Sequence, residues 1–188
     1  SVYAEPNFTA AGTETIYVGQ PQTETGSFAT SYTPTGASAV TRAAETVQLT
    51  GTALAAVQGV QGAVVYEGNG SRGTSVMVGS GGSQYRPYIS GTSFSAYDGT
   101  TALSAAGSVP TSSVWRGGVA WSAAGRSITL NGGAVASDAN GTGTFTNVYL
   151  GSNNGRLWVN THIRSVGFYN SRLPDATLQS KSVVNAAY

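Results

Sequence analysis

Short runs of alternating apolar and polar residues fill the second half of the chain, and they meet at turn residues. An Asn-Gly pair favours a type I′ hairpin turn, because both of its residues readily take a positive φ angle. Three such pairs separate the runs: Asn131-Gly132, Asn140-Gly141 and Asn154-Gly155. Many short strands with turn residues at regular spacing are typical of a sandwich or barrel. The segment from Trp115 to Leu178 therefore predicts an all-β fold of two stacked antiparallel sheets.

The same pattern predicts short strands along the whole chain, each bounded by Gly, Asn, Asp or Ser. They are Glu14–Val18, Thr46–Leu49, Gly62–Tyr66, Ser75–Val78, Tyr85–Ile89, Ser93–Tyr97, Ser113–Ser122, Ser127–Leu130, Thr144–Leu150, Arg156–Val159 and Ile163–Tyr169. One helix is predicted, at Asp175–Asn185, because an acidic residue suits the first turn of a helix.

The alternation also predicts which side chains face the core, since neighbours in a strand point to opposite faces. In Ser113–Ser122, one face carries Trp115, Gly117, Val119 and Trp121, and the other carries Arg116, Gly118 and Ala120. The last strand keeps its apolar residues on one face only if a bulge lies near Arg164-Ser165. With that bulge, the inner faces of the two sheets hold Ile128, Leu130, Ile163 and Phe168.

The first 45 residues have a different character. Pro6, Pro21 and Pro34 mark loops or edge strands, and the polar stretch Pro21–Arg42 would be an unusually long loop inside a compact domain. We therefore predict a strand and linker arm at residues 1–45 and a sandwich domain at residues 46–188. The arm would contact a neighbouring subunit or belong to an upstream β-module.

Composition narrows the function classes. Charged residues make up 9% of the chain and the net charge is +1, whereas a nucleic-acid-binding protein needs a clustered basic face. Arg far outnumbers Lys, which favours fixed guanidinium groups over mobile surface charges. The absence of Cys excludes disulfides, Cys-based zinc sites and thiol nucleophiles. No apolar run approaches the ~20 residues of a membrane helix. Neither a nucleic-acid partner nor membrane insertion is expected.

Several segments resemble a known family. Gln22–Thr35 (QTETGSFATSYTPT), continued by Ala39–Glu45, is similar to the segment that leads into a laminin-G-like jelly roll in bacteriophage fibre and spike proteins. Three later segments resemble parts of that jelly roll: a hairpin at Gly125–Gly133, the penultimate strand at Val148–Ser152, and the closing strand and turn at Val159–Leu178. The resemblance covers Gln22–Leu178, with Thr50–Pro110 similar in rhythm alone.

This resemblance implies a two-sheet antiparallel jelly roll of the concanavalin-A-like type, preceded by an extended arm whose Ser1–Gly19 ends an upstream β-module. It implies a place on the virion surface, in a tail fibre, receptor-binding protein or head spike that is often a trimer. The implied partners are a host-surface glycan and other virion proteins. Related glucanases carry Glu, Asp and Glu at alternate positions of one strand, and this chain has no such run.

Candidate catalytic groups are sparse. Glycoside hydrolysis needs two carboxyl groups about 5–10 Å apart, and no two acids share a predicted strand. Glu67 and Asp98 could meet in space, but turns at Asn69-Gly70 and Asp98-Gly99 explain both placements. The single His162 excludes a multi-His metal site, and no Gly-x-Ser-x-Gly elbow precedes a helix. We predict no catalytic residues, and His162 is expected in a polar loop.

Calcium is a cofactor that jelly-roll lectins often use. Ca²⁺ takes several oxygen ligands, commonly including two or more carboxylates. Asp98 and Asp138 are weak candidates, because the segment Asp138–Thr142 offers one carboxylate and one amide and a plain turn explains both. No cofactor is expected.

Aromatic residues give the clearest sign of binding. Tyr85, Arg86 and Tyr88 form one run, and Trp158 alternates with apolar neighbours, so both places could present rings and polar groups to a sugar. The alternative is that these rings cover a sheet or a subunit interface, where aromatic residues are also enriched.

The sequence thus predicts a non-enzymatic, extracellular virion domain that binds host-surface glycans. Several copies of a weak site would bind with avidity. Two alternatives stay open: a purely structural module for oligomerisation, and a glycan-degrading enzyme with unrecognised acids.

Overall fold

The computed structural model describes residues 38, 47–70, 75–76, 78–79, 86–140, 147–152 and 162–185. The chain divides into two compact units after Ala43, and every element named below belongs to residues 44–188. The predicted strands Glu14–Val18 and Arg156–Val159, and the predicted arm apart from Ser38, lie outside the described residues. The predicted boundary between residues 45 and 46 therefore stays a prediction.

The described residues form antiparallel strands and two short helices. The strands are β1 (Val47–Leu49), β2 (Gly62–Asn69), β3 (Ser75–Val76), β4 (Val78–Gly79), β5 (Arg86–Ser90), β6 (Ser93–Tyr97), β7 (Ala102–Ser104), β8 (Val114–Ser122), β9 (Gly125–Leu130), β10 (Ala136–Asp138), β11 (Val148–Leu150) and β12 (His162–Tyr169). The helices are α1 (Gly51–Ala55) and α2 (Asp175–Lys181). Neither could cross a membrane, since no helix in the described part is long and apolar enough.

The strands form two layers. One layer is a five-stranded sheet with the order β10-β9-β8-β2-β12. The other consists of a three-stranded sheet (β1-β11-β4) and a four-stranded sheet (β3-β5-β6-β7), which adjoin because β3 and β4 are one residue apart in the chain. Buried residues of both layers pack into one core, for example Val64 and Ile128 with Ile89, Phe94 and Val148. The predicted all-β sandwich is confirmed.

Glycines on the inner face of the five-stranded sheet make room for large rings. Gly68 lies opposite Trp115, and a Cβ atom on Gly68 would be 2.8 Å from the indole ring. Gly117 lies against Phe94 of the other layer, and a Cβ atom on Gly117 would be 2.6 Å from that ring. Real Cβ atoms do not approach so closely, so each ring lies directly on the backbone. The alternation predicted for Ser113–Ser122 is confirmed, since its tryptophans are buried in the core.

The closing strand and the first Asn-Gly turn also match their predictions. The register of β12 against β2 shifts between Ile163 and Ser165, which is the predicted bulge. Ile128 and Leu130 are buried, while Ile163 and Phe168 are partly buried against the same core.

At the first turn, Asn131 and Gly132 have φ angles of 52° and 70°. The N–H of Gly133 donates to the carbonyl oxygen of Leu130 at 2.8 Å, which closes a type I′ turn. Gly141 and the pair Asn154-Gly155 lie outside the described residues.

Several features of the fold differ from prediction, among them the predicted strand Ser75–Val78, which is divided between β3 and β4 in different sheets. Helix α1 and the three-residue strands β7 and β10 were not expected, because such short elements show no hydrophobic period. Helix α2 ends at Lys181, four residues before the predicted end, and its C-cap residue Ser182 departs from helical geometry with φ −92° and ψ 4°.

The hydroxyl of Tyr66 is an anomaly within the core. Its ring packs edge-on against Phe94 and Trp115, with ring centroids 5.3 and 5.7 Å apart. The buried hydroxyl has no hydrogen-bond partner among the described residues. Burial raises the pKa of Tyr66 well above its usual range, because the ionised form would lose its hydration.

We expect Tyr66→Phe to raise the free energy of unfolding by about 1 kcal/mol at pH 7, because it removes an unsatisfied buried group. The advantage should grow above about pH 10, where tyrosine ionises in the unfolded chain but not in the core. Urea unfolding at pH 7 and 10.5 measures both effects. Tyr97→Phe is the matched control, since the Tyr97 hydroxyl donates to the carbonyl oxygen of Gly99 and its loss should destabilise. A less stable Tyr66→Phe protein would contradict the expectation.

Candidate functional site

A groove of about 280 Å³ lies on the outer face of the five-stranded sheet, beside helix α2. We call it the β12–α2 groove. It is lined by Val65, Arg116, Ser165, Val166, Gly167, Tyr169 and Lys181. Strand alternation puts most of these residues on the outer face, because their neighbours Val64, Tyr66 and Phe168 pack into the core. The groove thus combines one aromatic ring, two cations and exposed backbone.

Helix α2 is held against the sheet by close packing. Leu178 is fully buried against Ala63 and Ala120. A Cβ atom on Gly118 would be 2.5 Å from Ser182 Oγ, so the sheet fits the helix only because residue 118 has no side chain. Gln179 Nε2 donates hydrogen bonds of 3.0 Å to the carbonyl oxygens of Gly132 and Gly133, at the Asn131-Gly132 turn. These contacts fix the C-terminal end of α2 beside β12.

That placement brings Lys181 over an aromatic ring. Its Nζ atom lies 5.3 Å from the centroid of the Tyr169 ring, within the range of a cation–π interaction. The Lys181 ammonium makes no hydrogen bond to any described residue, and the side chain is exposed. The Tyr169 ring and the Lys181 ammonium therefore form one wall of the groove.

Arg116, which also lines the groove, belongs to a charged triad on β2, β8 and β12. Arg116 Nε donates to Glu67 at 2.6 Å, and Arg164 Nε lies 3.2 Å from the other Glu67 oxygen. Arg116 Nη1 also donates to the carbonyl oxygen of Val183 at 3.3 Å. Arg116, Arg164 and Lys181 carry three positive charges, and Glu67 carries one negative charge. These groups together therefore have two uncompensated positive charges.

The residues predicted from the aromatic pattern lie away from this groove or outside the described residues. Tyr88 is half-buried in β5, and its neighbour Ile89 points into the core, so Tyr88 lies on the outer face of the four-stranded sheet. It is opposite Ser95 and shares that face with Tyr97. The side chain of Arg86 is not described, and Tyr85 and Trp158 lie outside the described residues. The predicted glycan site at these residues stays a prediction.

The two predicted acids are separated by the fold. Glu67 lies within β2 and not in the turn that follows, because the strand extends to Asn69. Asp98 does form the predicted turn: its Oδ1 accepts the N–H groups of Thr100 and Thr101, both at 2.7 Å. Glu67 binds arginines on the outer face of one sheet, and Asp98 follows β6 of the other. His162 is exposed at the start of β12, in a strand and not in the predicted loop.

Asp98 and Asp138 are nevertheless brought together, and a buried guanidinium lies between them. Arg126 is on the inner face of β9, with a side chain only 3% exposed. Its Nη2 atom is 2.9 Å from Asp138 and 3.3 Å from Asp98, and Nη1 donates to the carbonyl oxygen of Ala96 at 3.1 Å. We call these side chains, with Thr101, the Arg126 cluster. Asp138 ends β10, and its Oδ1 also accepts the N–H of Asn140 at 3.1 Å, as expected for the predicted turn.

The charge of the Arg126 cluster affects Asp98. Burial alone would raise the pKa of Asp98, but hydrogen bonds from Thr101 and Thr100 and the charge of Arg126 outweigh it and lower the pKa. The carboxylates considered for calcium thus have a protein cation between them. No group of three or more His, Cys, Asp or Glu side chains in the described ranges is placed to hold a metal ion.

Sequence reasoning did not find the β12–α2 groove. Arg116, Tyr169 and Lys181 are up to 65 residues apart in the chain. The only signal was alternation, which put Arg116 on the outer face of its strand and Tyr169 opposite the inward-facing Phe168. Joining them required the pairing of β2 with both β8 and β12, which no local pattern reveals.

The chain matches no protein-family model and no curated protein sequence. Its fold is similar to that of several solved structures. The CBM40 of the Ruminococcus gnavus IT-sialidase, bound to α2,3 sialyllactose, has a TM-score of 0.57 at 17% identity over 75% of this chain and 97% of that one.

Two further structures share the architecture. Domain 4 of AbnA, a GH43 extracellular arabinanase from Geobacillus stearothermophilus in complex with arabinotriose, has a TM-score of 0.53 at 14% identity, covering 67% of this chain and 68% of that one. The heptameric SAP-like pentraxin of Limulus polyphemus has a TM-score of 0.54 at 10% identity, covering 65% and 70%. The likeness at these identities concerns the fold, and it confirms the predicted jelly-roll sandwich.

Proposed function

We propose that this chain is a non-enzymatic glycan-binding domain and that the β12–α2 groove is its binding site. The observation that carries the proposal is the Tyr169 ring set beside Lys181 and Arg116 in a groove. Binding sites of this kind combine an apolar or aromatic surface with a few placed polar groups that fix orientation. An aromatic ring offers its face to the C–H groups of a sugar, and the N–H donors can bind its hydroxyls.

The proposed absence of catalysis is supported by the carboxylates. Glu67 is bound by Arg116 and Arg164, and Asp98 is bound by Arg126 on the other sheet. A glycosidase needs one carboxyl group that can donate a proton and a second across the bond. Burial would raise the pKa of Asp98, but hydrogen bonds from Thr101 and Thr100 and the charge of Arg126 outweigh it and lower the pKa, so this carboxyl is a poor proton donor.

We further propose that the domain is extracellular and belongs to the surface of a bacteriophage virion, in a tail fibre or head spike, with a host-surface glycan and other virion proteins as partners. The support is the resemblance of Gln22–Thr35 and of the jelly-roll segments to such proteins. Similar solved domains include ones in complex with sialyllactose and arabinotriose. A trimer would present three grooves, and linked sites bind a repetitive surface far more tightly than one site alone.

Replacing Tyr169 tests the site. We expect Tyr169→Leu to weaken binding on a glycan array by about tenfold or more, equivalent to about 1.4 kcal/mol, because the aromatic face is lost. Tyr169→Phe should bind within about threefold of the unmodified protein, because it keeps the ring and loses only the hydroxyl. Thermal unfolding of both variants separates lost binding from lost structure.

Tyr88→Leu is the matched control, since it removes a half-buried tyrosine from the outer face of the other layer. Binding that survives Tyr169→Leu and disappears in Tyr88→Leu would move the site to the surface predicted from the sequence. If the unmodified protein bound no glycan and formed a stable trimer, the structural-module alternative would replace the proposal.

A further inference from the structure

The donors that line the β12–α2 groove are cationic and only partly used. Arg116 carries five N–H donors, of which those on Nε and Nη1 bind Glu67 and Val183. Its Nη2 atom makes no hydrogen bond to any described residue. The three N–H donors of Lys181 likewise have no hydrogen-bond partner in the described part of the chain, and the ammonium lies over the Tyr169 ring.

The acids near the groove cannot neutralise these donors. Glu67 is 15% exposed and has both oxygens engaged, one by Arg116 and one by Arg164. Asp175, at the other end of α2, is paired with Arg172 at 3.1 Å. The charge that the described residues present to the groove is therefore positive, and an anionic ligand group there would meet donors of opposite sign.

The floor of the groove has room for a sugar ring. Gly167 does not have a positive φ angle, so its backbone does not require glycine. A Cβ atom there would lie 3.7 Å from the Tyr169 ring and 3.8 Å from the carbonyl oxygen of Val65, which is ordinary contact. The missing side chain thus leaves open the space between Arg116 and Tyr169. Its volume of about 280 Å³ suits one sugar ring better than a long chain.

Resting on the proposed function, we infer that the groove prefers glycans with an anionic substituent, a carboxylate or sulfate, over neutral glycans of the same size. The anionic group lies between Lys181 Nζ and Arg116 Nη2, and the sugar ring lies over Gly167 against Tyr169. Charge-assisted hydrogen bonds from two cations are stronger than bonds to hydroxyls, so the charged group dominates selectivity.

The test compares matched glycans. Binding of lactose, 3′-sialyllactose and 3′-sulfolactose is measured by titration calorimetry at 20 and 300 mM NaCl. We expect at least one anionic lactose to bind tenfold or more tightly than lactose, and this preference should shrink in high salt, because exposed charges are screened. Whichever of the two anionic lactoses binds more tightly identifies its charged group, carboxylate or sulfate, as the one that the groove prefers.

Substitutions place the effect in the groove. Lys181→Gln should reduce the anionic-to-neutral ratio about fivefold or more, and Lys181→Arg should retain it. Arg172→Gln removes the same charge outside the groove and should leave the ratio unchanged. Gly167→Val fills the floor and should abolish binding of every lactose while the thermal midpoint is kept.

Each result has a distinct meaning. Equal binding of neutral and anionic lactoses would overturn the preference and leave the glycan-binding proposal standing. An unchanged ratio in Lys181→Gln would overturn the placement of the anion. If neither these lactoses nor any glycan on a broad array bound, the proposed function itself would fail.

Discussion

Replacing Arg126 with Met should lower the free energy of unfolding by about 3–5 kcal/mol, because removing one member of a buried ion pair leaves its partners charged and unpaired. The partners are Asp98, 11% exposed, and Asp138, 25% exposed. The carbonyl oxygens of Ala96 and Thr101 also lose their guanidinium donors. Urea unfolding at pH 7 measures the loss.

The size of this effect should depend on pH. The folded-state pKa of Asp98 is lowered, so its contribution to stability is full above the ordinary carboxyl pKa of about 3.9 and is lost as the pH falls below it. Arg126→Met removes one of the interactions that lower this pKa and leaves the hydrogen bonds from Thr101 and Thr100 in place. The stability gap between the two proteins should therefore narrow between pH 5 and pH 3.

Arg172→Met provides the control for Arg126. Arg172 pairs with Asp175, but the two side chains are 31% and 46% exposed, so the expected loss is below about 1 kcal/mol. Similar losses in the two variants would contradict the special role of the Arg126 cluster. Asp98→Asn in the Arg126→Met background should recover part of the stability, because it removes one of the stranded charges.

Replacing Trp115 with Ala should cost about 3–5 kcal/mol, the usual range for a large aromatic ring in a core. The ring is fully buried, covers Gly68 and donates from Nε1 to the carbonyl oxygen of Gly70 at 3.2 Å. Gly68→Ala alone should cost about 1–3 kcal/mol, because its new methyl group would press into the ring. Guanidinium unfolding of both variants measures these losses.

Combining Gly68→Ala with Trp115→Ala tests whether glycine and ring act as one unit. The methyl group then enters space that the indole has left. The free energy of unfolding should therefore fall in the double variant by about 1 kcal/mol less than the sum of the two single losses. Residues that do not interact give additive losses to within about 0.5 kcal/mol. Additive losses would mean that Trp115 is not seated on Gly68.

Much of the sandwich was predictable because its signals are local. Trp115 and Trp121 keep a period of two through β8, and the broken period at Arg164-Ser165 indicated a bulge that the register confirms. The Asn131-Gly132 turn was predictable for the same reason, since its backbone angles depend on those two residues. The excess of Arg over Lys also indicated fixed guanidinium groups, and Arg126 is one of them.

The candidate site was not predictable, because its residues come together only through strand pairing and helix packing. Arg116 lay on the expected face of β8, yet nothing near it in the sequence indicates that Glu67 on β2 and Lys181 on α2 would be its neighbours. The Arg126 cluster shows the same limit. Alternation put Arg126 beside inward-facing Ile128, but the acids that make its burial possible lie on other strands.

Leu178 and Lys181 of helix α2 differ in how tightly they are packed. Leu178 is enclosed against a sheet that fits no larger side chain at Gly118, whereas Lys181 projects freely beside Tyr169. Substitutions at the enclosed position would be removed by natural selection, because they would displace the helix. Position 181 can vary at almost no cost to folding. Descendants of one ancestral chain could therefore diverge in the charge of the β12–α2 groove by exchanging this single exposed residue while the scaffold beneath is inherited intact.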